Sequence, residues 1–147
     1  MTLKEQLNDA MKAAMKARDP LRLSAVRMVR AEIKNREIDT HTELDNQAVT
    51  DVISTLAKQR RESIRMYREG NRLELAEKEE LELAVLLEFL PAQLSFEEID
   101  TLVSQIILDI GAEGVKDMGR VMKVVSPLTA GKADGKVVSE TVRRLLA

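Results

Sequence analysis

Val49-Thr50-Asp51-Val52-Ile53-Ser54-Thr55-Leu56-Ala57-Lys58-Gln59-Arg60-Arg61-Glu62-Ser63-Ile64-Arg65-Met66-Tyr67-Arg68 is the stretch whose spacing decides the fold. Val49, Val52, Ile53, Leu56, Ser63, Ile64 and Tyr67 recur at steps of three and four, the period of a helix face. Lys58, Arg61, Arg65, Arg68 and Arg72 keep the same step on the opposite side. No alternation of period two, the signature of a half-buried strand, occurs anywhere in the chain. The fold class that follows is all-α.

Working outward, Asp45 or Asn46 caps this third helix and Gly70 ends it. Upstream, Leu3, Leu7, Ala10, Met11, Ala14 and Met15 predict a helix over 3–18. Asp19-Pro20, a cap followed by proline at the first helical position, then opens a second helix to about Ile38. Downstream, Asn71 with Glu74 resembles a capping box for a fourth helix that reaches Leu90. Ser95 with Glu98 is a second capping box, starting a fifth helix that stops at Gly111. Asp117 can cap a short sixth helix closed by Pro127, and Val138, Val142, Leu145 and Leu146 mark a last one. Pro91–Ser95 is the expected boundary. It separates a bundle of long helices, 1–92, from a small three-helix domain, 93–147.

Composition narrows the function. Hydrophobic residues are 44% of the chain but aromatics only 2%, so the core must be aliphatic. There is no cysteine, which excludes disulfides, thiolate metal sites and a cysteine nucleophile. His41 is the sole histidine and falls in a polar loop, where it supports neither a metal cluster nor a catalytic triad. No catalytic residue, metal or cofactor is therefore expected. The amino terminus lacks the apolar core of a signal peptide, and no run approaches the roughly 20 apolar residues of a membrane span. A cytoplasmic protein without membrane attachment is expected.

The net charge of −2 hides strong local fields. Residues 1–72 carry +4, residues 73–98 carry −7 and residues 99–147 carry +1. The row on the third helix suits phosphates, an acidic partner, or the acidic fourth helix of the same chain; a solvated, salt-bridged face is the plainer alternative. Arg27, Arg30 and Lys34 make a smaller row on the second helix. Arg60 falls within the apolar face, between Leu56 and Ile64. A guanidinium there needs a carboxylate, and Glu32 is the candidate for a structural ion pair. The loop Gly131-Lys132-Ala133-Asp134-Gly135-Lys136 could hold a phosphate on helix-start amides and two ammonium groups, or be a turn capped by Asp134. Its glycine spacing is not that of a Walker loop.

Five segments in order carry a resemblance. They are Val26–Asn35, Lys58–Ser63, Glu88–Ser95, Asp117–Met122 and Gly131–Lys136. In order and spacing they resemble the free-standing bacterial proteins of the GatB/YqeY family, which are similar to the C-terminal tail of the aspartyl/glutamyl-tRNA amidotransferase B subunit. That tail engages tRNA, while the amide-transfer chemistry lies elsewhere in the complex. The resemblance implies a non-catalytic accessory module for tRNA or a tRNA–synthetase or amidotransferase complex. The alternatives are a protein-interaction adaptor using the contrast between the third and fourth helices, or a participant in glutamine-dependent carbon–nitrogen ligation. The residues expected to face nucleic acid are Arg120, Lys132, Lys136 and Arg143, with Arg61, Arg65 and Arg68 as a second patch.

Overall fold

The computed structural model describes residues 1–147 as seven α-helices with no strand. The chain forms two compact units, Met1–Pro91 and Ala92–Ala147.

The first unit contains α1 (Leu3–Ala17), α2 (Pro20–Thr40), α3 (Asn46–Glu69) and α4 (Leu73–Leu87). Thr2 caps α1 in a reciprocal box with Glu5, and Asp19 and Asp45 accept from the backbone amides of Arg22 and Ala48. Asp45, not Asn46, is thus the cap of α3. Asn46 instead accepts from the Leu3 amide at 3.1 Å and fastens the start of α1 to the start of α3. Leu7, Val26, Val29, Val49, Val52, Ile53 and Leu86 are fully buried in an aliphatic core, as the scarcity of aromatics requires.

The second unit contains α5 (Phe96–Ile110), a 3₁₀ turn (Val115–Asp117), α6 (Met118–Thr129) and α7 (Gly135–Leu146). Ile99, Val103, Val121, Val125, Val138 and Val142 fill its own separate core.

Several helix ends differ from the expectation. Asp117 stands before α6 but makes no side-chain cap bond, its carboxylate accepting from the Glu113 amide instead. Asn71 does not cap α4: it lies in the left-handed region at φ 57°, and Arg72 holds the cap position without a side-chain bond. A short Gly70-Asn71 turn reverses the chain there, and asparagine tolerates that conformation better than most residues. α4 ends at Leu87 rather than Leu90. α6 runs through Pro127 instead of closing on it. Proline removes one ladder bond, but Val125 and Thr129 on either side are buried, and the Thr129 hydroxyl donates to the Val125 carbonyl at 3.2 Å. Packing outweighs the local cost.

Candidate functional site

The structure sorts the basic side chains by whether a carboxylate or carbonyl already holds them. Arg60 sits where its position among apolar residues put it, but its partner is corrected. Glu79 and Glu82 of α4 bind it at 2.7 and 3.0 Å, while Glu32 pairs with Arg36 on its own helix at 3.5 Å. The i,i+4 spacing of Glu32 and Arg36 gives that acid a nearer cation than Arg60. Arg60 is 21% exposed and Glu82 9%, so the cluster is a clasp inside the α3–α4 hairpin.

The proposed patch on α3 divides in the same way. Arg68 is bound by Glu80 of α4, and Arg65 lies 3.6 Å from Glu69. Arg61 is half-buried and engages no carboxylate. Of the α3 row only Arg68 meets α4, while Lys58, Arg61 and Arg72 engage no carboxylate. The charge contrast between the two helices is therefore used only in part within the fold.

In the second unit, Arg120 donates to the Ile110 carbonyl at the end of α5 at 3.1 Å and lies 3.9 Å from Asp117. It satisfies a helix terminus. Asp117 has its carboxyl held below the usual range, first by the Glu113 amide at 2.9 Å and more weakly by Arg120, against the opposing effect of burial. The Gly131–Lys136 loop is closed as well. The amides of Lys132 and Ala133 both donate to the Thr129 carbonyl, and Asp134 accepts from the Lys136 amide at 3.3 Å. A carboxylate thus stands where a phosphate would bind. Gly131 takes φ 74°, the left-handed geometry that this turn needs. The Lys132 side chain lines a shallow depression with Leu94, Leu102, Leu128 and Glu98. Lys136 and Arg143 are exposed and engage no carboxylate. They lie seven residues apart on α7, about 10 Å along its axis. The neighbouring Arg144 is taken by Asp100. Of the four expected residues, Arg120 is held at the end of α5, while Lys132, Lys136 and Arg143 are exposed and engage no carboxylate.

What it does assemble is a groove between α1 and α2. Lys4, Arg27, Arg30 and Lys34 surround a floor of Leu7, Met11, Ala31 and Ile33, with a volume of about 510 Å³. Arg27, Arg30 and Lys34 lie at i, i+3 and i+7, so they share one face of α2 and span about 10 Å. None of the three engages a carboxylate. Arg30 rests against the Met11 sulfur. Lys4 is bound to Glu37, the only acid in the lining, which leaves a net charge of +3. The sequence marked the α2 cations. Lys4 and the apolar floor join them only because α1 packs alongside.

Glu37 has its carboxyl lowered below the ordinary value near 4.5, chiefly by the Lys4 hydrogen bond and then by the Leu44 amide at 2.8 Å, with partial burial opposing. A depressed folded value means that its contribution is complete above pH about 4.5 and is lost as pH falls through the lower value. Glu37→Gln is expected to flatten the fall in stability below that pH, followed by denaturation between pH 3 and 6.

Fold and site together define a two-unit, all-helical protein with one cationic, apolar-floored groove. The Yqey-like protein family model matches residues 4–146, and the chain belongs to that family. Curated relatives are named "Altered inheritance of mitochondria protein 41, mitochondrial". The one from Lachancea thermotolerans is 38% identical over 108 residues, covering 71% of this chain and 57% of its own. The one from Kluyveromyces lactis is 38% identical over 107 residues, covering 71% and 58%. The one from Pyrenophora tritici-repentis is 28% identical over 145 residues, covering 96% and 79%. The chain spans a little under three-fifths of the length of the first two relatives.

These relatives correct two expectations. Their names point to mitochondria, not to the cytoplasm; absence of cysteine suits any reducing compartment and could not distinguish the two. Their names also carry no tRNA binding, no amide transfer and no bacterial origin. The accessory tRNA module and the amidation reading are set aside on that finding.

Proposed function

We propose that the chain is a binding module whose α1–α2 groove receives an acidic amphipathic helix, in the compartment for which its relatives are named. One observation carries this reading. Three unpaired cations line one side of an open trough whose floor is apolar, whereas most of the molecule's other arginines are already engaged. Apolar anchors at i and i+4 would rest on Met11 and Ala31, and carboxylates one turn away would meet Arg27, Arg30 and Lys34. Leu7 and Ile33 are buried beneath the groove, so Met11 and Ala31 offer its open apolar surface and the three cations supply most of the attraction.

A labelled synthetic helix of about 15 residues, with Leu and Glu alternating at i,i+4 spacing, is the probe. Anisotropy titration is expected to show binding that weakens as salt is raised. Arg27→Glu with Arg30→Glu should weaken it by about tenfold or more. Equal binding of a probe with Lys in place of Glu, or no effect of the double substitution, rejects the reading.

A further inference from the structure

We infer that the helix received by this groove is α4 of a second copy of the chain. The inference rests on the groove reading above and names its occupant.

The argument starts from how α4 divides its acids. Glu79, Glu80, Glu82 and Glu88 are bound by Arg60, Arg68 and Arg22. Glu74 and Glu77 are exposed and engage no cation. The exposed leucines of α4 follow them. Leu73 and Leu81 are each 57% exposed, whereas Leu86 on the same helix is completely buried. At 100° per residue, Leu73, Ala84, Glu77 and Leu81 fall within about 80° of one another. They form an outward stripe about 17 Å long, with Glu74 at its edge. Lys78 lies about 40° beyond Glu74, one turn along the helix, and about 60° beyond Leu81.

The groove matches this stripe in length, polarity and charge. Its α2 wall, Arg27 to Glu37, is about 15 Å long. Its open apolar residues, Met11 and Ala31, lie where the stripe offers leucine and alanine. Its net +3 faces two free glutamates. Both surfaces belong to the first unit, so each copy offers one of each. Two copies that exchange α4 faces close as a symmetric pair with two identical contacts. One helix face per contact is a small area, so the association is weak and sensitive to salt.

Sedimentation equilibrium on the full chain tests this, with circular dichroism confirming that every variant is helical. The wild-type mass should rise above 16.5 kDa as concentration reaches hundreds of micromolar, and less so at high salt. The groove variant, Arg27→Glu with Arg30→Glu, sets an acidic groove against an acidic stripe. The stripe variant, Glu74→Lys with Glu77→Lys, sets basic against basic. Each alone should stay monomeric, and an equimolar mixture should form a 1:1 dimer, because each groove then meets a stripe of opposite sign. A monomeric wild type that still binds the synthetic helix overturns the second copy and leaves the groove reading standing. A monomeric wild type that also fails to bind the probe removes both. Self-association of either variant at wild-type strength, or a mixture that does not associate, overturns the inference.

Discussion

Alanine in place of Arg60 should lower the free energy of unfolding by about 3–5 kcal/mol. The reason lies in what is left behind. Arg60 binds Glu79 at 2.7 Å and Glu82 at 3.0 Å, and Glu82 is almost wholly enclosed. Without the guanidinium, two carboxylates face each other inside the α3–α4 hairpin with no compensating cation. Urea denaturation followed by circular dichroism measures the loss. A companion variant separates the charge network from simple packing. Arg60→Met with Glu79→Gln and Glu82→Leu replaces the cluster by groups that need no cation, and should recover most of the stability. A loss below about 1 kcal/mol for Arg60→Ala would mark the cluster as a surface pair and remove its structural role.

Leu86→Ala is expected to cost about 2–5 kcal/mol, while Leu81→Ala on the same helix should stay within about 0.5 kcal/mol. Leu86 is 0% exposed in the core with Val26, Val29, Val52 and Ile53, so truncation removes its burial and leaves a cavity. Leu81 is 57% exposed and loses little. The two residues are five positions apart, which places them on different sides of the helix. The contrast fixes which way α4 faces. Equal costs would mean that the outward stripe is buried, and the second-copy pairing would fall with it.

The helices were legible because their cause is local. The step of apolar residues along 49–67 and the short polar caps Asp19, Asp45, Ser95 and Asp134 act over three or four residues, so the sequence displays them. Asn71 shows the limit of that reasoning. Its side chain suits a cap, but the tight reversal between α3 and α4 takes the residue into the left-handed region first. Pairing is where sequence reading gave out. Arg60 announced its need for a carboxylate by standing among apolar residues. Which carboxylate answers depends on the hairpin that brings Glu79 and Glu82 beside it, 19 and 22 positions further along. The same hairpin turns Arg68 from an outward-facing group into a partner of Glu80. On α2 the outcome is the reverse. Arg27, Arg30 and Lys34 look like the lesser row, yet no acid reaches them, and α1 packing alongside with Lys4 and Met11 makes the row a groove.

The claim most open to direct test is that binding lies on α2 and not on α3. The synthetic acidic helix should be titrated against two variants of equal charge change, Arg27→Glu with Arg30→Glu and Arg61→Glu with Arg65→Glu. The account predicts about a tenfold or greater loss of affinity for the α2 variant and wild-type affinity for the α3 variant. Loss in the α3 variant with the α2 variant unchanged would contradict it.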